Sequence, residues 1–226
     1  LHATKNLTIE ILAGRFNEAS TSIERALFPD LAKTVEPPKA EATFHWALRP
    51  PDGTFHGKVY TDGSRLDGPY TSIARLGWAF VVVDSSGAII AKAYGVPPRW
   101  ITDIPGAEAW AVLQAAMCAE PGTAYRIDCQ PCVDAIHKGR AAATAGHCPL
   151  ARVFGLIFAA IDDTDPELFV WMPAHTRQED VGEKLLGDLS QLTHQDRELN
   201  DVADSLAKQA VEEHRVPINI RSKIKE

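Results

Sequence analysis

The sequence predicts an α/β domain in which a mixed sheet of five strands is covered by helices, preceded by a helical extension. Three observations predict it. Between residues 58 and 94, three apolar, β-favouring runs follow one another, the second and third joined by Ser85-Ser86-Gly87. From residue 108 onward, helical patterns alternate with short strand-like runs, the order that builds a sheet with helices packed on it. A length of 226 residues, 45% of them apolar and 23% charged, suffices for a full core and is ordinary for a folded chain.

The elements follow in order. Leu12, Phe16, Ala19, Ile23 and Leu27 recur every three to four residues and predict a helix within residues 1–30, which Phe28-Pro29 ends. Pro37-Pro38, Pro50-Pro51 and Asp52-Gly53 mark residues 33–57 as linker and turns. Strands are expected over residues 58–61 (KVYT), 77–84 (GWAFVVVD) and 88–94 (AIIAKAY). Pro105-Gly106 precedes an Ala-rich helix over 108–119, which would start near Glu108. A strand over 124–128 (AYRID), a short helix near 133–138, a helix over about 149–161, a strand over 168–171 and a last helix over about 200–213 complete the pattern. The expected division is an extension and linker in 1–55, a main domain in 56–215 and a tail in 216–226.

Composition narrows the function. A net charge of −7 argues against a protein that coats nucleic acid by bulk attraction, though not against an enzyme with a local basic groove. No apolar stretch approaches the ~20 residues of a membrane span, and the N-terminus lacks a secretion signal, so an intracellular protein of the nucleus or cytoplasm, monomeric and away from membranes, is expected. The first residue, Leu1, suggests an excised domain or a processed product. Cys129 and Cys132 form a C-x-x-C with His137, His147 and Cys148 nearby, yet Cys148 has no second cysteine at short spacing. Reduced, half-buried thiols are therefore a better reading than zinc.

Acidic residues fall in telling places. Asp62 ends the first expected strand, in VYTDGS, and Asp128 ends the fourth, while Glu108 lies in the first turn of its helix. Ligands collect at strand ends of such sheets. If the first and fourth strands are neighbours, Asp62 and Asp128 face each other, and two such carboxylates would raise each other's pKa unless a cation lay between them. Asp204 sits at the margin of the apolar face made by Val202, Leu206 and Ala210, where it could lean over the sheet edge or remain a solvated helix charge.

Together these segments resemble ribonuclease H type 1. YTDGS at 60–64, AEAWAVLQA at 107–115, IDCQ at 127–130, WMPAHT at 171–176 and NDVADSLAKQA at 200–210 stand in that family's motif order, and the resemblance runs from about Lys58 to Ala210. It implies a sheet whose first three strands are antiparallel, with helices on both faces. It further implies a metal-dependent endonuclease that cuts the RNA strand of RNA–DNA hybrids, leaving 5′-phosphate and 3′-hydroxyl ends. Asp62, Glu108, Asp128 and Asp204 would hold two Mg²⁺ ions, for which Mn²⁺ can substitute. In that scheme Asp62 bridges both ions, Asp128 completes one site, and Glu108 and Asp204 complete the other. His175 would move a proton or assist product departure. Gly63, Ser64, Gln130 and Asn200 would contact substrate, and Gly63, lacking a side chain, would let a nucleic-acid backbone come close.

Departures from the family's pattern matter as well. Where relatives often carry paired Asn before the helix glutamate, this chain has Asp103-Ile104-Pro105-Gly106, so one reader of the 2′-hydroxyl is missing. The basic, Trp-rich handle of some relatives is replaced by a short, mildly basic KGRAAATAGH at 138–147. The loop over 176–199 is long and acidic, and would be either a lid or a mobile excursion. These features resemble ribonuclease H domains carried by retroelements behind a reverse transcriptase, which makes such a domain an expected partner. The alternative is a catalytically silent module that binds nucleic acid or connects domains, although such a module has no need of mutually repelling carboxylates. An integrase or resolvase relative would show a different order of acids.

Overall fold

The computed structural model describes residues 35–38, 41–161 and 165–225. The chain divides into two compact units, one of residues 1–37 with 216–226 and one of residues 38–215. The helix expected within residues 1–30 lies outside the described residues.

Residues 38–215 carry a six-stranded sheet made of β1 (His45–Leu48), β2 (Lys58–Leu66), β3 (Arg75–Val83), β4 (Ile89–Gly95), β5 (Ala124–Ile127) and β6 (Phe169–Trp171), in the order β1-β4-β3-β2-β5-β6. Pairing is antiparallel from β1 through β4 and β3 to β2, and parallel from β2 through β5 to β6. The helices of this unit are α1 (Ile104–Ala116), α2 (Gln130–His137), α3 (Arg140–Ala143), α4 (Ala151–Ile161) and α5 (His194–Glu212). Successive strand residues point to opposite faces, and both faces are buried. Val59, Trp78, Phe80 and Val82 join Ala107, Ala111, Val153 and Ile157 of α1 and α4 on one side. Tyr60, Val81 and Val83 join Leu199 and Ala203 of α5 on the other. This is the mixed sheet with helices on both faces that the resemblance implies.

Six strands replace the expected five. The extra strand, β1, comes from the segment read as linker: HWAL is only four residues long and lies among prolines, too short to show a period. Its aromatic side chains anchor it, with Trp46 edge-on to Phe80 at 5.8 Å and Phe44 edge-on to Trp46 at 4.9 Å. β2 also outruns its expected end at Thr61. It pairs with β3 as far as Leu66, opposite Arg75, whereas its parallel pairing with β5 stops at Thr61 opposite Ile127. Asp62 thus lies within a strand, at the point where the neighbouring strand gives out.

Two helices start earlier than expected. α1 begins at Ile104 because Asp103 caps it, its carboxylate accepting the Gly106 N–H at 2.9 Å, and Pro105 suits the first turn. Glu108 is consequently in the second turn and not the first. α5 begins at His194 because Thr193 and Asp196 form a reciprocal capping box, the Asp196 N–H donating to Thr193 Oγ1 at 3.0 Å and the Thr193 N–H to Asp196 Oδ2 at 3.1 Å. Asp196, read as part of an acidic loop, is instead buried and accepts the Tyr60 hydroxyl at 2.6 Å.

The remaining stretch, 176–193, is packed down against the sheet edge. Leu186 and Leu192 are 3% and 1% exposed within the α5-side core, the Gly187 N–H donates to the Trp171 carbonyl at 2.8 Å, and Asp188 pairs with Arg126 at 3.5 Å. Neither a lid nor a free excursion describes it. On the same side of the sheet, α5 lies close over β3 at Gly77, where a Cβ would stand 2.3 Å from the Ala207 carbonyl oxygen. In the other unit, the residues expected as a tail include helix α6 (Ile218–Lys225).

Candidate metal centre

Asp62, Glu108 and Asp128 converge. One carboxylate oxygen from each lies within 4.8 Å of the other two. Three elements place them. Asp62 is held mid-strand in β2 by its pairing opposite Ala79, and Asp128 is the residue directly after β5. Glu108 comes from α1, which reaches the sheet because residue 63 is glycine: a Cβ there would meet the Glu108 nitrogen at 2.5 Å and the Ala107 carbonyl carbon at 2.8 Å. The missing side chain of Gly63 thus makes room for the helix, where the sequence suggested room for a nucleic-acid backbone. Its N–H also hydrogen-bonds the Glu108 carboxylate.

These carboxylates are costly in isolation. Asp62 and Glu108 are only 6% and 5% exposed, and Asp62 Oδ2 and Glu108 Oε2 are buried without a hydrogen-bond partner. Burial first, then the charges of Asp128 and Asp204, push the Asp62 carboxyl up to about 8. Burial, reinforced by Asp128 and Asp62, also holds Glu108 well above the usual carboxylate range. Asp128 is raised by burial as well, an effect opposed by a hydrogen bond from Asn200 and by the nearby charge of His175.

Other expected residues surround this triad at different depths. Asp204 stands at its margin on α5 and is engaged by Lys208, one turn on, at 2.6 Å. Asp204 falls outside the set whose oxygens share one ion's reach, yet its charge acts on both aspartates. His175 sits on the loop after β6 in a left-handed backbone conformation, φ +49°. Ser64 is buried in β2, and Gln130 is the first residue of α2. Asn200 is also buried and turns toward Asp128.

Two contributors escaped the sequence reading. The Trp171 indole N–H donates to the Asp128 carbonyl at 3.2 Å, fixing the backbone that carries the carboxylate. Lys208 was legible in principle, since its i,i+4 spacing from Asp204 is that of a helical ion pair. Cys129 and Cys132 are free thiols with their sulfurs 3.3 Å apart, and His137 turns away to the Phe169 carbonyl at 2.9 Å.

The donor set fits a divalent cation. Every clustered ligand atom is a carboxylate oxygen, the hard donor that Mg²⁺ and Mn²⁺ prefer, and two of these oxygens are otherwise orphaned inside the protein.

No protein-family model and no curated protein matches the chain. Among solved structures, the chain is similar to the RNase H domain of PFV, at 15% identity over 71% of this chain and 97% of that one, with a TM-score of 0.48. It is also similar to the prototype foamy virus protease–reverse transcriptase, at 17% identity over 72% of this chain and 21% of the larger protein, with a TM-score of 0.49. A third similar structure is LC9-RNase H1, a type 1 RNase H with the type 2 active-site motif, at 14% identity over 76% of this chain and 85% of that one, with a TM-score of 0.46.

Proposed function

We propose that the protein is a ribonuclease H, a divalent-metal-dependent endonuclease that hydrolyses the RNA strand of RNA–DNA hybrids and leaves 5′-phosphate and 3′-hydroxyl ends. The observation that carries this reading is the convergence of Asp62, Glu108 and Asp128 with buried, unpartnered oxygens at a sheet edge. The ordered motifs that place those acids, from YTDGS to NDVADSLAKQA, supply the substrate class.

Asp62, Glu108 and Asp128 would hold the cations, two Mg²⁺ ions in this reading, with Asp204 completing the set from the margin. Bound there, the ions would supply Lewis-acid stabilisation of phosphoryl charge and a nucleophilic water at neutral pH. The chain's own part is positional and protonic. β2 holds Asp62 rigidly, and the Gly63 N–H and the Asn200 amide orient Glu108 and Asp128. His175, on its loop beside Asp128, is placed to hold or deliver a proton at the departing oxygen. Gly63, Ser64 and Gln130 line the approach and are assigned to the substrate strand. An upstream reverse transcriptase domain is the partner this reading favours.

The test incubates the protein with labelled RNA–DNA hybrid, double-stranded RNA and double-stranded DNA in Mg²⁺, Mn²⁺ or EDTA. Metal-dependent cutting of the RNA in the hybrid alone is expected. Failure to cut with either metal, or undiminished cutting by Asp128→Asn, would sink the reading.

A further inference from the structure

We infer that a cavity walled by Arg65 and Arg99 seats a backbone phosphate of the nucleic-acid strand that passes Asp62, an inference that rests on the hydrolase reading above. The cavity measures about 230 Å³ and lies between the turn joining β2 to β3, the end of β4 and the segment entering α1. Arg65, Thr71, Arg99 and Thr102 supply its polar wall, and Leu76 and Ile101 part of its apolar one.

What singles it out is an excess of cation. The chain has 30 acidic side chains against 23 basic ones, so a guanidinium has no shortage of carboxylates to meet. Yet among the described residues neither Arg65 nor Arg99 has an ion-pair or hydrogen-bond partner, and Arg65 Nε is buried without one. The acids closest in sequence are already engaged. Asp67 holds Arg215 at 2.8 Å, and Asp103 accepts the Gly106 N–H at 2.9 Å. Two unpaired guanidinium groups with two threonine hydroxyls in one concavity make a receptor for a tetrahedral oxyanion, since the planar fork of arginine matches phosphate oxygens in pairs.

Position says which phosphate. Arg65 is three residues beyond Asp62 on the same strand, a separation of about 10 Å along β2. Phosphates recur at about 3.4 Å per residue along a duplex axis, so one strand lying over Asp62 carries a phosphate about three steps away to the cavity. The overall negative charge of the protein makes such a local anchor more necessary.

The test measures binding of a fluorescently labelled RNA–DNA hybrid in EDTA, between about 50 and 200 mM salt, for the wild type, Arg99→Gln and Arg65→Gln/Arg99→Gln. Arg99 is exposed, so its variant folds regardless of the buried part of Arg65. Removing one phosphate contact should flatten the log–log salt dependence by about 0.9 and weaken binding about tenfold at the lowest salt. In the cleavage assay KM should rise with kcat little changed, while Arg177→Gln, which already pairs with Glu179, should alter neither. Inorganic phosphate alone is the second probe. If it binds through these arginines but the variants leave the hybrid's salt dependence unchanged, the nucleic-acid assignment is overturned.

The two readings fail separately. A wild type that cuts the hybrid, with variants whose salt slope and KM match it, removes the phosphate seat and leaves the hydrolase standing. A wild type that cuts nothing, but whose hybrid binding loses slope in the variants, removes the hydrolase and keeps the seat. No hybrid binding by any form removes both.

Discussion

At the scale of single residues, the site divides into groups that hold charge and groups that position them. Asp128 receives the Asn200 amide and has its backbone carbonyl tied by Trp171. Replacing it with Asn keeps the shape and removes the anionic oxygen, so cleavage should fall by at least about 10³-fold while the fold persists. A hybrid-cleavage time course beside a thermal melt checks both parts. His175 is different, because it lies beside the triad and outside the clustered oxygens. His175→Ala should lower kcat about 10²-fold and leave metal affinity, read by calorimetry, unchanged. Equal loss of both would make His175 part of the binding set.

Elements decide whether these side chains meet. Gly63 is the contact point of β2 and α1, and Gly63→Ala would drive a methyl to 2.5 Å from the Glu108 nitrogen. The backbone has to yield, at a cost of about 1–3 kcal/mol, and Glu108 moves with it. Both a lower midpoint in urea and weaker metal binding are expected; a change in stability alone would mean that Glu108 is placed by something other than this contact. Asp196 is the corresponding anchor on the opposite face, where it caps α5 and accepts from Tyr60. Asp196→Ala should cost about 2–3 kcal/mol by removing the cap and stranding a buried hydroxyl. Urea unfolding would show it, with Tyr60→Phe/Asp196→Ala less than additive. These elements also explain what could be read in advance. Asp62, Glu108 and Asp128 were legible because a carboxylate beside an apolar run is anomalous in any sequence. β1 was not, since four residues among prolines carry no period and its pairing with β4 depends on a long-range register. The start of α5 was encoded in Thr193 and Asp196, but a cluster of acids around it reads as a loop until the sheet supplies Tyr60 as a partner. The role of Gly63 could not be read at all, because a close approach of helix and strand is a property of the packed structure.

For the whole molecule, the metal centre is a liability until it is filled, and this sets how stability varies with pH. The Asp62 carboxyl stands at about 8 when folded against an ordinary value of 3.8, and those of Glu108 and Asp128 shift the same way. Groups raised on folding bind more protons in the native state than in the unfolded one between those values. Their favourable contribution is therefore complete below about pH 4 and disappears as pH rises toward 8. Asp84, Asp180, Asp188 and Asp196 shift the opposite way, so their contribution holds above 3.8 and is lost only in stronger acid. Metal-free protein should then be most stable in mildly acidic solution and should lose roughly 2 kcal/mol between pH 6 and pH 9, several degrees of Tm at this chain length. Asp62→Asn should flatten that slope and raise the metal-free Tm at pH 8 while destroying activity, since the burial cost of the charge goes with the charge. Mg²⁺ should restore the wild type at pH 8 through binding to the native state, and do less for the variant. Calorimetric melts of both forms across that range, with and without Mg²⁺, decide it; a metal-free wild type as stable at pH 9 as at pH 6 would mean that the three carboxylates are relieved by something other than a cation.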